Sequence, residues 1–319
     1  MAHRALASAW RVAEACSSPR RYPGSRRSPS LARARLPARC CSASRATAER
    51  VSEGFVEENA DAASLREHYE REGWVVVRGV ADAALVDALH AATDALEEEA
   101  KTFTRSRRHR GVFFETQSAS GRKSDDAIRA GALRKIGSPS KRGGAFAALV
   151  RSERIKDIAL KVCLSETNST LRCAVDQVNT KAPFSEGSGF AWHQDASFLK
   201  PLARAEFDLF GGVNVVVAMD VSDSQNGGFE VLGRTHENGE APKSLRDAYD
   251  GAVESVSALQ NVAGTKKKPL FDESFRVCPA LLPGDAVFFH PMLAHGSGRN
   301  ASARRRRIAT LWYVAHREG

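Results

Sequence analysis

The sequence predicts a mainly β fold with flanking helices, a double-sheet jelly roll carried by residues 60–316. Three observations lead there. From residue 170 onward the chain is a succession of short apolar runs separated by turn signals such as Asn226-Gly227, Pro283-Gly284-Asp285 and Gly296-Ser297-Gly298. Upstream of residue 165, apolar residues recur at helical spacing instead. No internal repeat of fixed period interrupts either texture, so the helical part, 60–165, and the strand-rich part, 170–316, read as one domain.

Residues 1–50 stand outside that domain. They hold 11 arginines, no lysine and two acids, Glu14 and Glu49. Leu6, Trp10 and Ala13 fall together on a helical wheel, opposite Arg4 and Arg11. Arginine-rich, acid-poor leaders of this kind are organellar transit peptides, so a mitochondrial or plastid destination is expected. A disordered tail of biased composition is the alternative.

Within the domain, Ser64 and Glu67 have capping-box spacing and predict a short polar helix that Gly73 stops. Trp74-Val75-Val76-Val77 is β-branched and reads as a strand. Ala84, Leu85, Ala88, Leu89, Ala92 and Leu96 predict an amphipathic helix over 82–100, and Phe146, Leu149, Ile155, Ile158 and Val162 another over 145–163. Between these helices, residues 101–143 carry 12 basic residues against Glu115, Asp125 and Asp126, with weak periodicity. A basic loop with a short helix near 126–133 is expected there. Six strands follow, at Leu171–Thr180, Gly212–Met219, Gly228–Leu232, Phe275–Leu282, Ala286–Phe289 and Arg307–Ala315.

The net charge of +9 belongs to the leader; after residue 50 the chain has 36 basic and 36 acidic residues. That balance, without an aromatic-basic stacking motif, argues against a nucleic-acid partner. No apolar run approaches the roughly 20 residues that cross a bilayer, so no membrane span is expected. Cys163, Cys173 and Cys278 remain beyond the leader, an odd number without C-x-x-C spacing, and read as reduced thiols. Nothing in the sequence signals an oligomeric state.

His193-Gln194-Asp195 and the distant His295 carry the chemistry. Residues i and i+2 of a strand point the same way, so His193 and Asp195 can reach one metal while Gln194 faces away. Trp192 and Phe198 are apolar flanks suited to a buried site. His295 follows the strand at 286–289 and opens a glycine-rich turn. Two imidazoles and one carboxylate form the facial set that holds iron(II) and leaves coordination positions open. His290 is a competing third ligand and His236 a loop histidine. A surface His-x-Asp pair is the bland reading of the tripeptide alone; the remote histidine and the arginines at 304–307 tip the balance.

Three blocks resemble the phytanoyl-CoA dioxygenase family. They are Trp192-His193-Gln194-Asp195-Ala196-Ser197-Phe198, then Asn226-Gly227-Gly228-Phe229-Glu230-Val231-Leu232, then Gly284 to His290 continuing through His295-Gly296-Ser297-Gly298 to Asn300. The resemblance runs over residues 60–315 and also covers the strand after Gly73. It implies a double-stranded β-helix, iron(II) and 2-oxoglutarate, with His193, Asp195 and His295 as the iron ligands. It also implies that Arg306, eleven residues after His295, binds the far carboxylate of 2-oxoglutarate with Ser297. Gln177, Asn179 and Lys181 lie on the strand where the family also contacts the co-substrate. An arginine suits that role because its planar fork meets a carboxylate with two parallel hydrogen bonds. Arg304, Arg305 and Arg307 read as a solvated patch. One block departs: the family's Pro-Gly-Ser-His is Gly233-Arg234-Thr235-His236 here, and Arg234 is expected to project towards the cavity.

The reaction implied is oxidative decarboxylation of 2-oxoglutarate to succinate, coupled through dioxygen to hydroxylation of an unactivated C–H bond. Related halogenating enzymes have a small residue where Asp195 stands, so the aspartate implies hydroxylation. The basic segment at 101–143 favours a small anionic substrate, such as an acyl-CoA thioester or a carboxylic acid; a surface loop unrelated to the site is the alternative. Two rival functions stand beside this one, a catalytically silent jelly roll that binds metal or ligand, and a hydroxylase of a protein side chain.

Overall fold

The computed structural model describes residues 61–116, 133–164, 169–185, 189–238 and 273–316. The leader lies outside the described residues, and so does the helix expected near 126–133 apart from its last position.

The chain opens with α1 (Ala62–Glu72), capped by Asp61, whose carboxylate accepts from the backbone N–H groups of Ala63 and Ser64. The cap is therefore Asp61 and not Ser64, because the helix starts earlier than the capping-box spacing implies. Gly73, at φ 79°, takes the left-handed conformation that stops it. Strand β1 (Trp74–Val77) follows, then α2 (Ala83–Ala100), capped by Asp82. The basic segment departs from expectation. Its described parts form β2 (Arg107–His109), β3 (Val112–Thr116) and β4 (Leu133–Gly137). The single helix expected at 145–163 is broken into α3 (Gly144–Val150), α4 (Glu153–Ile158) and a π-type turn, with Ser152 capping α4.

The second half supplies β5 (Thr170–Lys181), β6 (Phe190–His193), α5 (Pro201–Phe210), β7 (Gly212–Ala218) and β8 (Glu230–Leu232). It ends with β9 (Arg276–Val277), β10 (Ala286–Phe289), β11 (His295–Ser297) and β12 (Arg306–His316). The strand expected over 275–282 shrinks to two residues.

These strands build two antiparallel sheets, an eight-stranded one ordered β1-β10-β7-β12-β5-β4-β3-β2 and a four-stranded one ordered β6-β11-β8-β9. Alternation along each strand sorts its side chains between two cores. On β7, Val216 and Ala218 join Val76, Val287, Phe289 and Ile308 of the large sheet, with Val231 of the small one, between the sheets. Val213, Val215 and Val217 face the other way, onto Val86, Leu89, Phe146, Leu149 and Ile155 of the helices. Burying each such side chain contributes about 1.5–3 kcal/mol. The result is a double-stranded β-helix with helices packed on the outer face of its large sheet.

Candidate iron centre

Strand pairing brings the three ligand candidates together. β6 and β11 are antiparallel, with His193 directly opposite His295. His295 therefore stands on a short strand of its own, where the sequence suggested only a turn. Asp195 lies just past the end of β6, at the start of a 3-10 turn. The ligand atoms of His193, Asp195 and His295 all lie within 4.8 Å of one another. His193 Nε2 is 3.4 Å from Asp195 Oδ1, and His295 Nε2 is 3.5 Å from Asp195 Oδ2.

The far side of each ring is fixed. His193 Nδ1 lies 2.7 Å from the carbonyl of Ala191, and His295 Nδ1 lies 2.9 Å from that of Leu293. A carbonyl only accepts, so each Nδ1 carries the proton and each Nε2 keeps its lone pair for the centre. Burial, then the neighbouring His193, push His295 down to about 4, which keeps its imidazole neutral. Burial pushes Asp195 upward, but His295, His193 and Asn214 outweigh it and hold the carboxyl below its usual value. Burial pulls His193 down, and Asp195 outweighs that and holds it above its ordinary value. Two imidazole nitrogens and one carboxylate, with ligand atoms within 4.8 Å of one another, fit iron(II) with positions left open, and a bound cation would displace any proton from His193 Nε2.

Gln194, in extended backbone just past β6, turns away from the centre and donates to the carbonyl of Met292 at 2.6 Å. The flanks differ from each other. Trp192 is buried, whereas Phe198 is 61% exposed with its ring 5.8 Å from that of His193. His290 is set apart, beside His236 and Phe207. His236 itself reaches the carbonyl of Glu70.

The register of β12 places Arg306 opposite Lys181, Ile308 opposite Asn179 and Thr310 opposite Gln177. Directly paired residues share a face, and Ile308 belongs to the core between the sheets, so all of these point inward. Arg306 is fully buried. Its Nη2 donates to the carbonyl of Gly227, while Nε and Nη1 have no hydrogen-bond partner among the described residues. Burial lowers its pKa to about 10, which leaves it charged at neutral pH. Lys181 donates to Ser297 Oγ at 2.8 Å and to the carbonyl of Gly298. Burial, then the charge of Arg306, hold Lys181 well below its ordinary value. Asn179 donates to Thr310 Oγ1 at 3.2 Å, and Gln177 is half-buried.

Two expectations are corrected. Arg307 is buried rather than solvated, and pairs with Asp220 at 2.8 Å and Asp94 at 3.0 Å, tying β12 to α2. Arg234 does not enter the cavity. It turns to Glu72 at the end of α1, 2.8 Å away, and lies over the ring of Phe275. Two inward-facing residues escaped the sequence reading. Lys135 sits opposite Asn179 in the β4–β5 pair and contacts Glu115 at 2.8 Å. Asn214 donates to Asp195 Oδ2 at 2.5 Å. A lone polar residue inside the apolar run of β7 was the available signal for the second.

A jelly roll that gathers two imidazoles and a carboxylate, with a buried and partly unpaired arginine further along the floor, defines the class of mononuclear facial-triad proteins. The profile of the family described as phytanoyl-CoA dioxygenase (PhyH) matches residues 69–308, and the chain belongs to that family.

Among curated relatives, the "Probable alpha-ketoglutarate-dependent hypophosphite dioxygenase" of Stutzerimonas stutzeri is 27% identical over 184 residues, which are 57% of this chain and 57% of that protein. The peroxisomal phytanoyl-CoA dioxygenase of Rattus norvegicus is 31% identical over 126 residues, 38% of this chain and 32% of its own length. The chain thus spans less than two thirds of each of these relatives. Among solved structures, EvdO2 of Micromonospora carbonacea var. aurantiaca, complexed with 2-oxoglutarate, shares the fold with a TM-score of 0.52 at 19% identity, covering 83% of this chain and 95% of that one.

Proposed function

We propose that this chain is an iron(II)- and 2-oxoglutarate-dependent dioxygenase that hydroxylates a C–H bond of a small anionic substrate. The observation that carries the reading is the pairing of a converged His193, Asp195 and His295 set with a buried Arg306 whose Nε and Nη1 lack partners among the described residues. An unpaired buried guanidinium is costly unless an anion completes it.

His193, Asp195 and His295 would hold the iron. When bound, iron with 2-oxoglutarate and dioxygen supplies the oxidising chemistry, releasing succinate and carbon dioxide and placing one oxygen atom in the substrate. Arg306 would take the far carboxylate of the keto acid through its open edge. Ser297 accepts from Lys181, so its own hydroxyl proton is free to donate to the same carboxylate. Lys181 thereby orients Ser297, while Asn179 and Gln177 line the floor beside it.

The substrate class rests on this chain's own residues, since the relatives' printed names span hypophosphite and phytanoyl-CoA. Strands β2–β4 extend the large sheet, and their register carries the inward face outward through Lys135 beside Asn179 and Arg108 beside Phe113. That stripe, Glu115 beside Lys135 included, is net basic and would attract an anion. Residues 1–50 would act as an organellar leader.

The deciding experiment reconstitutes the protein anaerobically with iron(II) and 2-oxoglutarate, admits oxygen, and screens acyl-CoA, carboxylic-acid and neutral metabolite pools. Succinate formed together with a mass gain of one oxygen on an anionic metabolite, and absent with Asp195→Ala, supports the proposal. Turnover confined to neutral molecules removes the anionic part. Iron uptake with no succinate from any pool favours the silent binding protein.

A further inference from the structure

Asn214 is the single polar side chain in β7, a strand buried on both faces. It is fully buried itself. Alternation sets it on the inward face, next to Val216 and opposite Phe289 of β10 and Trp312 of β12. From there its amide nitrogen donates to Asp195 Oδ2 at 2.5 Å. The amide oxygen has no partner among the described residues. That asymmetry fixes the amide's orientation, because turning the oxygen towards a carboxylate would set two acceptors against each other.

Asp195 needs such a partner more than the two histidines do. Each imidazole is locked by a backbone carbonyl two residues before it. Asp195 lies outside the β6 ladder, and its carboxylate can rotate about a soft terminal torsion. One donor on one oxygen removes that freedom and leaves the other oxygen as the better ligand.

We propose that Asn214 is a positioning residue for the metal centre, holding the Asp195 carboxylate in the one rotamer that completes the set with His193 and His295. The inference rests on the reading of Asp195 as an iron ligand. It concerns how tightly the site holds a metal, not the identity of the substrate.

The test replaces Asn214 by valine and by threonine. These two side chains have the same shape and differ in a hydroxyl donor. Manganese(II), a redox-stable probe for the iron(II) site, is titrated into each full-length variant by equilibrium dialysis, and the metal-free melting temperature is recorded alongside. Loss of a hydrogen-bonding partner behind a metal ligand weakens binding by about 10- to 100-fold. Asn214→Val is expected to lose affinity in that range, with Asn214→Thr recovering part of it at an equal melting temperature. Unchanged affinity in Asn214→Val overturns the proposal, and so does an equal loss in both variants, which would mean packing alone. Asp195→Ala is the control that separates the two levels. If it binds manganese as the parent does, the ligand reading itself fails. If it loses the metal while Asn214→Val keeps it, only the positioning role fails.

Discussion

Arg306 shows how much one side chain can reveal. Its placement follows from counting, since it faces inward with Ile308 while Arg305 and Arg307 face the helices. The prediction at this scale is Arg306→Lys. Lysine keeps the charge but offers a point in place of a fork. The Michaelis constant for 2-oxoglutarate should rise by about tenfold or more, roughly 1.4 kcal/mol, with a smaller change for the second substrate. An unaltered co-substrate constant in steady-state assays would remove Arg306 from the pocket. The sequence marked His193 and Asp195 by their i, i+2 spacing and His295 by its place after a strand, whereas Arg306 stood out only through the family resemblance; the fold brings the first three within 4.8 Å of one another and turns Arg306 inward. The sequence concealed Asn214, which meets Asp195 from the opposite sheet, and Lys135, which reaches the inward face by pairing with β5, and it misjudged Arg307, whose acids Asp94 and Asp220 lie on other elements.

Helices and long strands were legible because their periodicity is local. The helix of residues 82–100 emerged as Ala83–Ala100, and the last strand as Arg306–His316. The described strands of segment 101–143 were not legible, since β4 is placed by pairing with β5, β3 by pairing with β4 and β2 by pairing with β3, partners that a short local run does not specify. Gly227, whose own carbonyl accepts from Arg306, marks a place where the fold leaves no room: at φ 70°, a Cβ there would meet the carbonyl oxygen of Gly298 at 2.6 Å.

Arg234 makes the opposite compromise. It adopts φ 66° with a full side chain, at a cost of about 1 kcal/mol. Its half-exposed pair with Glu72 returns about 0–1 kcal/mol. Burial pushes Glu72 upward, but the hydrogen bonds of Arg234 and Arg71 outweigh it and hold the carboxyl below its usual value. A depressed carboxyl stabilises the fold above its unfolded pKa, and that contribution fades as pH falls through the folded value. Arg234→Gly should therefore match the parent in chemical denaturation at neutral pH and exceed it by about 1 kcal/mol in acid, where the pair is gone. A variant less stable than the parent at acid pH would contradict this.

At the scale of the whole molecule, two sheets of unequal size enclose the site, with the helices on the outer face of the larger one. The mainly β reading survived because turn residues punctuate the second half so regularly; the pairing order did not follow from sequence, as neighbours such as β1 and β10 are over 200 residues apart. Among the described residues no helix is long and apolar enough to cross a membrane. The whole excess charge lies in residues 1–50, which predicts that this segment, fused to a fluorescent protein, directs it to mitochondria or plastids; a diffuse signal would refute the leader. The central claim, that three side chains and one guanidinium form a single iron and 2-oxoglutarate centre, meets its most direct test in anaerobic equilibrium dialysis of the full chain against iron(II), with and without 2-oxoglutarate. The account predicts one iron per chain, lost in His193→Ala, and co-substrate retained only when iron is present and Arg306 intact. A chain that takes up no iron, or that keeps its iron when His193 is removed, would contradict it.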